Sequence, residues 1–286
     1  MKKFGDRRDG ERLKVEGVHK FMYHLLPKRC DNEVYVERDV DVTDLVKYIE
    51  KKKEENEDIT YFHAFSYAIG RVLYNYPSMN KFVMNGNYYK RKFISLGFVA
   101  KTSFTDDAKE CLNVFKVDNS DTIDTISKKI KRDVKRIRTN TDSSTDGAID
   151  IIGKLPRPLR AFVIGCFKFM DRHDLIPEDL TRDSIYHASV LVTNLGSIGC
   201  NCVYHHLSEF GTNGVVIAIG KITKKPVVID GEVVIRDVCD FGITLDERIG
   251  DGFYFAKAVN LLEHILTHPE MLEEKIDDRV DFKQSK

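Results

Sequence analysis

Two apolar runs near the C-terminal end limit the fold more than anything else in the chain. Residues 189–194 (SVLVTN) and 215–222 (VVIAIGKI) are nearly continuous in hydrophobic side chains. They are too short for ordinary helices and rich in β-branched residues, as strands buried on both faces are. Behind them comes PVVIDGEVVIRD, in which Asp230-Gly231 is a hairpin turn between residues 226–229 and 232–236. Residues 241–245 read as a further strand, and 253–267 as an amphipathic helix stopped before Pro269. Buried strands in this number commit the chain to a sheet covered by helices, an α/β architecture.

The N-terminal half fits the same plan. Residues 33–42 (EVYVERDVDV) place Val34, Val36, Val40 and Val42 among charges, as a half-buried strand does. Thr43 then reads as the N-cap of a helix through Leu45, Val46 and Ile49. Thr60 opens a second helix whose apolar face carries Phe62, Phe65, Ala68, Ile69, Val72 and Leu73, with Pro77 as its stop. Asn85-Gly86 predicts a hairpin joining 81–84 to 88–92. Residues 94–101 and 112–117 read as strands, and 121–138 as a helix with Ile123, Ile126, Ile130, Val134 and Ile137 at helical spacing.

Composition excludes several classes. With 42% apolar and 31% charged residues over 286 positions, the chain buries a core and is not disordered. Its 45 cations balance 45 anions, which argues against a general nucleic-acid binder. Six scattered cysteines suit reduced thiols better than a secreted disulfide frame. The charged N-terminus is no signal peptide. The longest apolar stretch, 161–170, is interrupted by Lys168 and falls short of the ~20 residues a transmembrane segment needs. The expected location is cytoplasmic.

Two segments stand out against this background. Seven cations lie between Lys128 and Arg138, opposed only by Asp133. They suit either a site for an anionic ligand such as the phosphates of coenzyme A or a solvated helix end. Residues 139–186 differ in texture: a polar loop, then Leu155-Pro-Arg-Pro158, then a compact apolar helix around 159–170. Three readings stay open: a lid over an acyl groove, a patch that touches lipid, and added packing that extends the core.

The order of these elements resembles the catalytic domain of the 2-oxoacid dehydrogenase acyltransferases, the dihydrolipoyl acyltransferases, relatives of chloramphenicol acetyltransferase. The pattern is Thr-Asn-Leu-Gly (193–196) ending a strand, VVIAIGKI, the PVVIDGEVVIRD hairpin, then a strand and loop ending Asp251-Gly252 before AKAVNLLEHILTHPEML. Upstream, VERDVDVTDLVKYIEKKK, ITYFHAFSYAIGRVLYNYPSMNKFV and the Tyr88-Tyr89-Lys-Arg-Lys arm agree. The resemblance covers roughly 17–138 and 187–272. It implies one acyltransferase-like domain over 1–286, with 1–16 as an N-terminal extension and 139–186 as an insertion. It further implies a homotrimer with channels between subunits, acyl-CoA as substrate, an unidentified acyl acceptor, and no metal. Residues 1–16 are too few for a lipoyl arm, so a standalone protein without covalent lipoyl is expected.

Family catalysis rests on a His in the pattern His-x-x-x-Asp-Gly, with a strand hydroxyl from the adjacent subunit on the oxyanion. Here the resemblance assigns the hydroxyl to Thr193 and the carboxylate to Asp251. Asn194, Gly196 and Gly252 fall at the substrate-binding positions, and Glu247 stands where the family has His. A free thiol has a pKa of about 8.5, imidazole about 6.5 and a Glu carboxyl about 4.3. Moving the thiol proton to an unperturbed Glu is therefore harder by ~3 kcal/mol, about a hundredfold in rate. Two alternatives remain for Glu247: a base retuned by burial, or a channel residue, paired with Arg248 or with a neighbouring subunit's cation, in a catalytically inactive trimeric ligand-binding or scaffold protein. His205 or His206 is the candidate substitute base, and Asp251 is expected to tether its loop through a basic residue. Cys200 and Cys202 lack zinc spacing. His63 and His264 read as packing or surface residues.

Overall fold

The computed structural model describes residues 6–101, 110–139 and 152–282. The polar loop expected from 139 onward therefore lies almost wholly outside the described residues, as do the first five positions of the N-terminal extension and the side chain of Arg138.

The apolar runs build one six-stranded sheet. Its strands are β2 (Glu33–Asp41), β5 (Ile94–Lys101), β6 (Glu110–Val117), β7 (Val190–Asn194), β8 (Val215–Ile229) and β9 (Glu232–Asp246). They lie in the order β2-β9-β8-β7-β5-β6. β7 runs parallel to both β5 and β8, and the remaining pairs are antiparallel. A small second sheet joins β1 (Gly10–Arg12), β4 (Asn87–Arg91) and β3 (Lys81–Met84). Both sequence-predicted hairpins form. At each turn the two central residues have positive φ, 49° and 71° at Asn85-Gly86 and 51° and 87° at Asp230-Gly231, as the twist of paired strands requires.

The four short strands expected between 215 and 245 are two long ones. β8 and β9 pair from Val215↔Leu245 out to Ile229↔Glu232. The apolar signal breaks at Lys224-Lys225-Pro226 because the outer half of this ribbon is solvated, with Val228, Val233 and Ile235 exposed. Between Ile219 and Ile222 the register shifts. There β8 spends three steps against two on β9, a bulge that holds Gly220.

Helices cover one face of the sheet. α2 (Thr43–Glu54), α3 (Tyr61–Asn75), α4 (Ile123–Thr139) and α7 (Gly252–Thr267) bury Leu45, Ile49, Phe65, Ile69, Ile126, Ala258 and Leu262 against Val190, Val192, Val215, Ile217, Ile219, Phe241 and Ile243. These sheet positions alternate, so Thr193, Ala218 and Gly242 point to the opposite face. α3 starts in a reciprocal capping box between Thr60 and His63. Thr43, by contrast, is the first residue of α2 rather than its cap. Its backbone N–H and hydroxyl both donate to Asp41, at 3.0 and 2.6 Å.

Two helices stand apart. α1 (Gly17–Leu25) buries no residue and exposes Val18, Phe21 and Leu25. α5 (Arg157–Arg172) buries only Asp171, and among the described residues no other helix or strand packs extensively along it. Added packing is therefore confined to the end of the segment, where Ile176 and Ile185 are buried, and does not describe α5. The short α6 (Glu178–Thr181) follows it.

Candidate active site

The last residue of β9, Asp246, leads directly into the turn Glu247–Ile249 and from there to α7. β2 holds this strand end through an unbroken ladder from Asp41↔Val238 to Glu33↔Asp246. Glu247 is therefore placed by the sheet rather than by a loose loop. Its side chain is exposed and makes no hydrogen bond or ion pair with the described residues.

The expected pairing of Glu247 with Arg248 does not form. The Arg248 guanidinium instead grips Asp246 through both carboxylate oxygens, at 2.8 and 2.7 Å. Asp246 is 1% exposed and also faces the Arg29 guanidinium at 3.8 Å. Arg29 donates further to the carbonyls of Ser208, Val83 and Gly211. Burial pulls the Arg29 guanidinium below its ordinary pKa, and Asp246 opposes that shift. Burial acts in the same sense on Arg248, but its contacts with Asp246 outweigh it and hold the guanidinium charged. The turn bearing Glu247 thus rests on a buried Arg-Asp-Arg cluster that fastens β9 to the β3–β4 hairpin and to the loop at 208–211. Sequence reasoning missed Arg29. It sits in a non-periodic stretch after Pro27, and its partners lie more than fifty residues away along the chain.

Asp251 has a different task from the one expected. It is the N-cap of α7 and accepts the Tyr254 N–H at 2.7 Å; no basic side chain pairs with it among the described residues. Gly252 is the first residue of that helix and has open space around it. Gly196 is packed for another reason: a Cβ there would lie 2.5 Å from the Gly220 carbonyl oxygen. The loop after β7 therefore runs tightly over the bulge in β8. Asn194 begins the same turn, and its carbonyl accepts the Ser197 hydroxyl at 2.7 Å.

Thr193 and Glu247 are far apart within one chain. The register aligns Thr193 with Ala218, and Ala218 with Gly242. Glu247 lies two strands across and five residues further along β9. At ~3.3 Å per residue and ~4.8 Å per strand the separation is about 19 Å. One copy does not bring its own hydroxyl and carboxylate together.

The histidine alternative is taken up elsewhere. His206 Nδ1 lies 2.9 Å from Glu33, whose other oxygen accepts the Leu207 N–H at 2.6 Å. Burial, with His206 adding to it, lowers the pKa of His205. Neither ring contacts Glu247. Cys202 donates its N–H to Asp240 at 2.7 Å, and burial beside that carboxylate pushes its thiol up to about 12. Among the described residues no three His, Cys, Asp or Glu side chains gather to hold a metal.

The α4 cations are largely answered by neighbours. Lys129 pairs with Asp118 and Asp121, Lys131 with Asp58, and Arg136 with Asn113. Lys129, Arg132 and Arg136 line a cavity of about 530 Å³ that also takes in Arg7, Asp171 and His187. None of the six sequence-predicted site residues lines it.

This fold, a mixed sheet with helices on one face, is the one of chloramphenicol acetyltransferase, which superposes with a TM-score of 0.52 at 14% identity over 90% of this chain and 99% of that one. A dihydrolipoamide acetyltransferase from Azotobacter vinelandii superposes at 0.60, 15% identical, covering 92% of this chain and 93% of that chain. That structure served to investigate a serine, a histidine and an asparagine four residues beyond the histidine in the catalytic mechanism. The family model for the 2-oxoacid dehydrogenases acyltransferase (catalytic domain) matches residues 8–148 and 175–273. The chain belongs to that family. The lipoamide acyltransferase component of the branched-chain alpha-keto acid dehydrogenase complex of Bacillus subtilis (strain 168) is 24% identical over 278 residues. The match covers 92% of this chain and 53% of that protein, so the chain spans about half the length of this curated relative.

Proposed function

We propose that this protein transfers an acyl group between coenzyme A and an acceptor thiol, at a site completed where two copies of the chain meet. The observation that carries the reading is the state of Glu247. It sits on a rigid strand end, four residues before Asp251, and the cation beside it is committed to Asp246 instead. That spacing equals the one between the histidine and asparagine investigated in the Azotobacter enzyme. Glu247 accepts the proton of the attacking thiol, and the thiolate adds to the thioester carbonyl carbon. The Thr193 hydroxyl of a neighbouring copy donates to the resulting oxyanion. Collapse breaks the original C–S bond, and the departing thiolate takes the proton back from Glu247. Asp251 and Gly252 shape the start of α7, while Asn194 and Gly196 hold the turn after Thr193. A cyclic trimer is the assembly this reading calls for, within one acyltransferase-like domain in which 139–186 is an addition, working in the cytoplasm.

Purified protein incubated with a panel of acyl-CoA thioesters and dithiol, amine and hydroxyl acceptors tests this. Release of CoA that falls at least a hundredfold in Glu247→Ala and Thr193→Ala is expected. No release by the wild type, with activity created by Glu247→His, would make the chain a binding protein instead.

A further inference from the structure

We infer that α5 is a docking element for anionic phospholipid bilayers. The helix falls in the stretch between the two family-matched segments, which end at 148 and resume at 175. Among the described residues its side-chain ties to the rest of the domain lie at its C-terminal end. There Asp171 accepts from Gly211 N–H and pairs with His187 at 3.0 Å, while the Arg7 guanidinium donates to the Asp171 carbonyl. Just beyond, Asp174 accepts the backbone N–H of Arg8. From this base the 16 residues project as a rod ~24 Å long.

Two arcs of the rod differ in chemistry, although Ile164, 43% exposed, lies beside the cations. At ~100° per residue, Leu159, Phe162, Cys166 and Phe169 share an arc of about 80°. Phe162 is 68% exposed, Phe169 58% and Leu159 47%. Arg157, Lys168 and Arg172 occupy a second arc of about 60°, separated from the first by about 60° that holds Pro158 and Gly165. None of these three, nor Arg160, has a carboxylate partner among the described residues, and the one acidic residue of the helix is the buried Asp171. An aromatic ridge flanked by unpaired cations matches a bilayer surface. The rings enter the acyl boundary, and the cations meet lipid phosphates. A second copy of the helix suits it less, because symmetric pairing would set these cations against themselves.

Co-sedimentation of the full chain with vesicles of 70% phosphatidylcholine and 30% phosphatidylglycerol, against pure phosphatidylcholine, provides the test. Binding to the anionic vesicles, weakened by salt, is expected. Arg157→Gln with Lys168→Gln, on the solvated face, should weaken it about 30-fold. Phe162→Ser with Phe169→Ser should weaken it more than tenfold, with an unchanged melting temperature in both variants. Equal partitioning to both vesicle types, or glutamine variants that bind like wild type, would overturn the assignment. So would a fall in oligomer mass in the serine variant without any vesicle binding, which would make the ridge a contact between copies.

Discussion

Mixing two crippled variants probes the separation of Thr193 and Glu247 directly. On the proposed mechanism, Thr193→Ala removes the oxyanion donor, a change that lowers turnover by roughly 10²–10³-fold. Glu247→Ala would then remove the proton acceptor, at a cost of roughly 10²–10⁴-fold. Each variant alone should therefore retain about 1% of wild-type activity or less. With ~19 Å between the two positions in one chain, the proposed site takes its hydroxyl from one copy and its carboxylate from the next. In a closed ring assembled at random from equal amounts of the two variants, about one interface in four joins an intact Thr193 to an intact Glu247. Co-expressed mixtures should thus recover about a quarter of the wild-type rate of CoA release, at least tenfold above either parent. The assay follows CoA thiol appearance after purification of the mixed assembly. Recovery no greater than the average of the parents would refute the shared site, since a site within one chain is not rescued by exchange.

Other consequences are stability effects. Asp246→Ala leaves Arg29 and Arg248 buried without their carboxylate, so urea denaturation should report a loss of about 3–5 kcal/mol; a loss below ~1 kcal/mol would contradict the cluster's role. Asp251→Ala should cost about 1 kcal/mol through the α7 cap, with Asp251→Asn keeping most of it, read as melting midpoints. His63 is buried, and its Nδ1 accepts from Thr60 N–H at 3.2 Å and lies 3.0 Å from the Ser127 hydroxyl. Burial, then Lys131, lowers its pKa to about 4, with Asp58 opposing. The unfolded chain therefore takes up a proton that the folded chain refuses. Stability should fall by up to about 3 kcal/mol as the pH drops from 6.5 towards 4, then cease to change on this account. His63→Gln should flatten that window in denaturation curves recorded across it; an unaltered slope would assign the loss to other groups.

Much of the frame was legible in sequence because it is written in local chemistry. Asn85-Gly86 and Asp230-Gly231 supply the positive φ of their turns. Thr60 and His63 close their capping box within four residues, and Pro77 follows one residue after Tyr76, the C-cap that ends α3 at Asn75. What was not legible depends on pairs distant along the chain. Continuity of β8 through Lys224-Lys225-Pro226 is imposed by β9, and the solvated outer ribbon carries no apolar run to announce it. The Arg29-Asp246-Arg248 cluster joins three loops, so Arg248 could only be guessed as the partner of its sequence neighbour Glu247. Asp251 was expected to bind a cation. Helix capping won, because the N–H groups of the first turn of α7 lie within reach of its own side chain. The helix at 157–172 was read correctly as apolar, but periodicity alone does not say whether an apolar face is covered.

The bulge at Gly220 acts on the sheet as a half-period delay. Inward of it, Val215, Ile217 and Ile219 feed the core; beyond it, the extra residue inverts which alternate side chains face which way. A single ribbon can thereby be a core wall at one end and a free-standing arm at the other, with Gly196 and the Lys221–Cys200 hydrogen bond locking the switch in place. Deleting one residue at 220–221 would remove the bulge and its added twist, while unbroken β9 kept the outer side chains on their present faces and the strand end carrying Glu247 in its position. The twist of the arm and the placement of the site can therefore change independently in this fold.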